Sequence, residues 1–381
     1  MIDCRGIKEF IERNIEDLYA LHRELCLIPA PSGQEEARAR YVCEWLVSHG
    51  AEGVYVDGAK NTVFPINVDG SNDISVFVAH TDTVFPDTEP MPFSDDGEII
   101  RCPGVGDDTA SLAVLLYTAL YFIENNVKPE GGVLFVANSC EEGLGNLKGT
   151  RRIFSDYGGR ISRFVSFDAK IGVINDVCVG STRYEVAVKT EGGHSYGAFG
   201  NTNAIAALAG IIGKIYGISL PEKEGCRVTY NVGTVEGGTS VNTIAEHASM
   251  LCEYRSDSSE LLDIMKEKFE RIFEEARSDK VDVSVRVVGE RPSARGVDET
   301  ALLKMRDACA EVMESITGER AKFSSSSTDC NIPLSLGIPA VCVGVYIGGG
   351  THTRDEWVEK SSFIPGLEIG IKTALKVTED L

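Results

Sequence analysis

The chain has 381 residues, 43% of them hydrophobic and 8% aromatic, enough apolar material for a large core and too much for a disordered polymer. Its 58 acidic and 37 basic side chains leave a formal charge of −21. That balance argues against nucleic-acid or anionic-membrane partners, which require a basic face.

Helical periodicity is expected over residues 7–27 and 34–49. Ile74–Ala79 is then a near-continuous apolar run, the pattern of a strand covered on both faces. A buried helix follows over 111–124, then a second such strand at Val133–Ala137 and a short one around Val165 and Phe167. From about 180 the pattern changes. Tyr184, Val186 and Val188 alternate with polar residues, as do Val228, Tyr230 and Val232, which marks an antiparallel sheet with one wet face. Helices are expected at Asn203–Tyr216 and at Ser258–Arg277, the latter with Asp257 or Ser258 as its N-cap, and a last strand at Val281–Val288. Strand, helix, strand, strand, helix, strand is the ferredoxin-like order. The apolar pattern resumes near Leu302 and includes Ala340–Val345. The expected fold class is therefore α/β, a mostly parallel sheet with helices on both faces. Residues 1–179 and 289–381 form that domain, and an α+β domain at 180–288 interrupts it.

Eleven cysteines without a C-x-x-C pair fit reduced thiols in a cytoplasm rather than a disulfide scaffold or a thiolate metal site. No segment reaches the ~20 apolar residues that span a bilayer, and the first residues show no signal-peptide core.

Five motifs carry chemistry, and each follows an apolar strand of the α/β part, where such sheets place their sites. His80-Thr-Asp82 offers an imidazole with a carboxylate two residues on, on the same side of an extended chain. Gly104-Val-Gly-Asp107-Asp108 combines acids with glycines that permit an unusual backbone, able to aim a carboxylate inward. Glu141-Glu142 supplies one carboxylate for a cation and one for proton transfer. Ser166-Phe-Asp168 and the Gly-rich approach to His352 complete the set. Two histidines with several carboxylates suit Zn²⁺, Mn²⁺ or Co²⁺ without a thiolate.

In that order and spacing the motifs resemble the two-zinc exopeptidase and deacylase family. It includes glutamate carboxypeptidase, tripeptide aminopeptidase, acetylornithine deacetylase and succinyl-diaminopimelate desuccinylase. Leu27-Ile-Pro-Ala-Pro-Ser-Gly-Gln-Glu35 is similar to the family's opening segment, and His352-x-x-x-Glu356-Trp357 to its last motif. The resemblance implies a zinc exopeptidase-like fold and two divalent ions. His80, Asp107 and Asp168 would hold one, and Asp107, Glu142 and His352 the other, with Asp107 bridging. It implies Glu141 as general base and acid, Asp82 orienting His80, and a cis peptide after Asp107. Glu191-Gly-Gly-His194-Ser195, Gly237-Gly-Thr-Ser-Val-Asn242 and Glu253-Tyr-Arg255 resemble the dimerisation or lid domain. There His194 would stabilise the oxyanion in a neighbouring subunit, and Asn242 and Arg255 would contact substrate. Where many members carry Lys-Gly or Lys-Ala after the paired acids, this chain has Thr109-Ala110. The implied activity is cleavage of an amide bond in a short peptide by a homodimer, with N-acyl amino acids as the alternative substrate. A non-catalytic peptide-binding protein lacks support because no ligand or base is missing. A phosphohydrolase lacks it because basic phosphate-binding residues are sparse near the motifs.

Overall fold

The computed structural model describes residues 3–379, and the chain divides into two compact units, 3–178 with 295–379, and 179–294. The second unit runs beyond 288 because its last strand continues to Arg291.

The first unit is built on an eight-stranded sheet. Its centre is four mutually parallel strands, Gly132–Asn138, Ile74–His80, Ile161–Lys170 and Ala340–Tyr346, neighbours in that order. Three of them are buried at every residue, which explains their near-continuous apolar sequences. Successive side chains point to opposite faces. Phe77, Phe135 and Phe167 stack on one face, in the same core as helices Cys4–Leu27, Thr109–Glu124 and Phe363–Glu379. Phe164 points the other way and meets Phe154 of helix Lys148–Tyr157. The outer strands Tyr55–Val56 and Thr62–Ile66 pair antiparallel at one edge, and Val173–Cys178 and Lys322–Ser326 lie at the other.

Helix Thr109–Glu124 is buried at 14 of its 16 positions, so it sits between the sheet and other helices rather than at the surface. The buried Arg38 guanidinium ties helix Glu36–Ser48 to the chain around it. It donates to the carbonyls of Leu25, Ile28 and Thr81 at 2.7–3.1 Å, which satisfies a buried cation without an acid. Among the described residues no helix is long and apolar enough to cross a membrane, and all eleven cysteines are unbridged.

The second unit is a four-stranded antiparallel sheet. Its order is Val228–Gly237, His247–Ser256, Gly180–Lys189, Asp282–Arg291, with helices Ala204–Tyr216 and Ser259–Glu275 on one face. This is the ferredoxin-like topology. Tyr184, Val186 and Val188 point into the helical core with Phe269 and Phe273, which explains the alternation in sequence. Asn203 caps the first helix by accepting from the Ile205 and Ala206 N–H groups. Ser258 precedes the second helix, without a side-chain capping bond.

Candidate metal centre

The four central strands run parallel, so their C-terminal ends share one edge of the sheet. His80 is the last residue of its strand rather than the first beyond it, and Asp168 lies inside a strand that continues to Lys170. Glu141 and Glu142 follow the strand ending at Asn138, and His352 lies in the loop beyond Tyr346.

Asp107 stands between two imidazoles. Its Oδ1 is 3.0 Å from His80 Nε2 and its Oδ2 is 3.1 Å from His352 Nε2. His352 Nε2 is also 3.0 Å from Glu142 Oε1. One ligand atom from each of His80, Asp107 and Asp168 lies within 4.8 Å of the others, and the same holds for Asp107, Glu142 and His352, and for His80, Glu141 and Glu142.

The Asp82 carbonyl accepts from His80 Nδ1 at 3.0 Å, so Nδ1 carries the proton and a neutral ring turns the Nε2 lone pair toward Asp107. A lone pair facing a carboxylate oxygen at 3.0 Å needs a proton or a cation between them. With no ion, the proton fills that role. Burial opposes charge on His80, but the Asp107, Asp108 and Asp82 carboxylates hold its pKa well above that of an ordinary imidazole. Hydrogen bonds to Asp107 and Glu142 raise that of His352 to about 10. Burial and the neighbouring Asp108 and Asp107 push Asp168 well above the carboxylate range. The site thus has more negative charge than its own protein groups neutralise, and its donor set of imidazole nitrogen and carboxylate oxygen fits two divalent ions.

Asp82 orients His80 through its backbone carbonyl more than through its carboxylate, whose nearer oxygen is 3.5 Å from Nδ1. The carboxylate instead accepts the Glu141 and Glu142 N–H groups, each at 2.9 Å, and the Ser32 hydroxyl at 2.6 Å. It fixes the loop that bears the paired acids. Glu35, fully buried, accepts from the Gly33 and Cys140 N–H groups just before that pair. Asp108 turns Oδ2 to the His80 backbone N–H at 2.9 Å, and the Asp107–Asp108 peptide is cis.

The motif His352-x-x-x-Glu356 assigns Glu356 no role in sequence, but the structure gives it three backbone partners. Its Oε2 accepts from Gly104 N–H at 2.7 Å, and its Oε1 accepts from Gly106 at 3.1 Å and Asp107 at 2.8 Å. The four-residue spacing from His352 is the one signal that could have marked it. No periodicity marks Glu35 or Arg38, whose partners are mainly backbone groups.

In the second unit, His194 is exposed in a two-residue strand paired with Thr243–Ile244. Its Nδ1 accepts from the Tyr196 and Gly197 N–H groups at 3.3 and 3.2 Å, which leaves the proton of a neutral ring on Nε2. Asn242 is exposed, and its Oδ1 accepts from Ser240. Arg255 grips Glu253 through Nε at 2.8 Å and Nη2 at 3.1 Å, so Glu253 takes one edge of its fork.

Comparison with known proteins identifies relatives along nearly the whole chain. The succinyl-diaminopimelate desuccinylase of Corynebacterium glutamicum is 26% identical over 347 residues, 89% of this chain and 91% of the relative. A tripeptidase from Staphylococcus aureus superposes with a TM-score of 0.76 at 23% identity, covering 96% of this chain and 98% of the other. A dinuclear metal-binding peptidase from Bacillus subtilis gives 0.67 at 18% identity, covering 97% and 100%. The family model for Peptidase family M20/M25/M40 matches residues 76–376, and the chain belongs to that family of amide-bond hydrolases.

Proposed function

We propose that the protein is a co-catalytic di-metal exopeptidase acting on short peptides. The observation that carries this reading is Asp107 set between His80 and His352, with Asp168 on one side and Glu142 on the other. His80, Asp107 and Asp168 would hold one ion, and Asp107, Glu142 and His352 the second. Zinc is the first choice, with cobalt or manganese as substitutes. When bound, two such ions lower the pKa of a water and polarise the scissile carbonyl.

Glu141 takes the proton from the attacking water and returns it to the leaving amine. It is buried, and its backbone N–H is pinned by Asp82, so its carboxylate starts from one defined place. We assign His194 to the oxyanion, through Nε2–H. Asn242 and the free edge of the Arg255 fork take the substrate carboxylate, a geometry suited to guanidinium. Those three residues are supplied by a second subunit. In support, Tyr196 and Phe199 beside His194 are 90% and 91% exposed, and large apolar groups left bare mark a surface that becomes covered. A cytoplasmic location accords with the eleven unbridged cysteines.

The similarity to a desuccinylase favours a second reading, removal of an acyl group from an N-acyl amino acid on the same scaffold. Incubating zinc- or cobalt-loaded protein with dipeptides, tripeptides and N-acetyl or N-succinyl amino acids separates the two. Turnover of the peptides supports the first reading, and turnover of the acyl compounds alone replaces it with the second.

A further inference from the structure

We propose that Glu356 is a positioning residue for the Asp107 carboxylate, acting through the 104–107 backbone. The inference rests on the di-metal reading above. Glu356 is 2% exposed, and no described Lys, Arg or His forms an ion pair with it. A carboxylate so placed, beside several others, is tolerable only if charge-assisted hydrogen bonds replace its hydration. Those bonds come from the Gly104, Gly106 and Asp107 N–H groups.

Other contacts hold the rest of this turn. The Val105 N–H donates to Cys102 O at 3.0 Å, and the Val105 carbonyl accepts from His22 Nε2 at 2.9 Å. With three of its N–H groups held by Glu356, the loop presents the Asp107 carboxylate to both imidazoles. The two glycines make room for this arrangement. A Cβ on Gly106 would lie 2.7 Å from Tyr346 Cε2 and 3.0 Å from Glu356 Oε1. Gly104 has φ +75°, and a Cβ there would lie 2.7 Å from Thr83 Cγ2.

A carboxylate is required because both of its oxygens are used. Glutamine has one acceptor oxygen and would set its NH₂ against at least one backbone N–H. The brace also links distant sequence. Glu356 lies four residues after His352, so one segment carries an imidazole and the group that aims Asp107 toward it.

The test is a cobalt titration of the metal-depleted protein, read by visible ligand-field absorption, on wild type and Glu356→Gln. Steady-state kinetics at saturating metal accompany it. The variant is expected to keep its far-ultraviolet circular dichroism and to bind Co²⁺ roughly 10- to 100-fold more weakly. Its absorption band should change shape, and kcat should fall while KM changes little. Glu356→Asp keeps the charge and both oxygens but is too short to reach all three donors, so its affinity should be intermediate. Should the glutamine variant not fold, the aspartate variant is read in its place. A folded variant with wild-type cobalt affinity and spectrum overturns the proposal. Wild-type protein that takes up no cobalt overturns the metal reading itself, and the proposal with it.

Discussion

Four consecutive backbone N–H groups, from Ser139 to Glu142, are each held by a side-chain oxygen from elsewhere in the chain. Asn61 takes the first, Glu35 the second, and the two oxygens of Asp82 the third and fourth. A loop fixed peptide by peptide keeps its carboxylates aimed without reorganisation during reaction. Glu141→Gln is therefore expected to retain its metal by elemental analysis and to lose about 10²- to 10⁴-fold in kcat. Full activity in that variant would remove Glu141 from the base role. Proton release gives a second test at this scale. Without ions, His352 titrates at about 10, because Asp107 and Glu142 accept its hydrogen bonds, and His80 also titrates well above the usual range. Both rings are thus protonated at neutral pH and must lose a proton to bind an ion. Metal affinity should fall as pH falls, and adding zinc to weakly buffered apo-protein should release protons from both imidazoles and from Asp168, which burial and its acidic neighbours also keep protonated. Loading without acidification would contradict this ligand set.

Among the elements, helix Cys4–Leu27 carries a pH-dependent weak point. His22 is fully buried, and burial lowers its pKa to about 4 from an ordinary imidazole value of 6.5. Above 6.5 both folded and unfolded chains hold a neutral ring, and the helix keeps its full stability. As pH falls from 6.5 toward 4 the unfolded chain binds a proton that the folded chain does not, so stability is lost, up to about 3 kcal/mol. Urea melts of metal-free protein between those pH values should show the loss, and His22→Gln should flatten it. Helix Phe363–Glu379 meets its strand at Gly366, where a Cβ would fall 1.9 Å from Val345 O. Gly366→Ala should cost about 1–3 kcal/mol or more, read as a shift in urea midpoint.

Elements of this buried kind were also the ones legible in sequence. Ile74–His80, Gly132–Asn138 and Ala340–Tyr346 are almost wholly apolar because both faces are covered. The edge strands Val173–Cys178 and Lys322–Ser326 were not legible, since Lys-Phe-Ser-Ser-Ser is exposed and has no apolar period. The same distinction holds in the site. His80, Glu142, Asp168 and His352 stood out because each lies at or near the C-terminal end of an apolar strand, and Asp107 because it is one of two adjacent acids after a glycine-rich turn. Glu35, Arg38 and Glu356 did not, because a side chain held mainly by backbone groups leaves no pattern. Glu356 binds Gly104 across 252 positions of sequence.

For the whole molecule, the −21 charge is mostly solvated surface, with a small part gathered where ions would offset it. Ions held as proposed would bind only the folded chain, so chelation should lower the melting temperature and added zinc should restore it. The proposed homodimer would form through the second unit. Strand Val228–Gly237 is at the edge of its sheet. Beside it, helix Ala204–Tyr216 exposes Gly210 and Gly213, where an added Cβ would meet nothing within 4 Å of the chain itself. Gly213→Glu with Val235→Asp should give a monomer by light scattering, and a dimer that persists would place the seam elsewhere.

The most direct test of the central claim is calorimetric titration of metal-depleted protein with zinc, with tripeptide hydrolysis followed in the same samples. Two equivalents per chain are expected, with hydrolysis that rises with loading and loss of one equivalent in His352→Ala. Hydrolysis at full rate in chelated protein, or saturation without any zinc uptake, would contradict it.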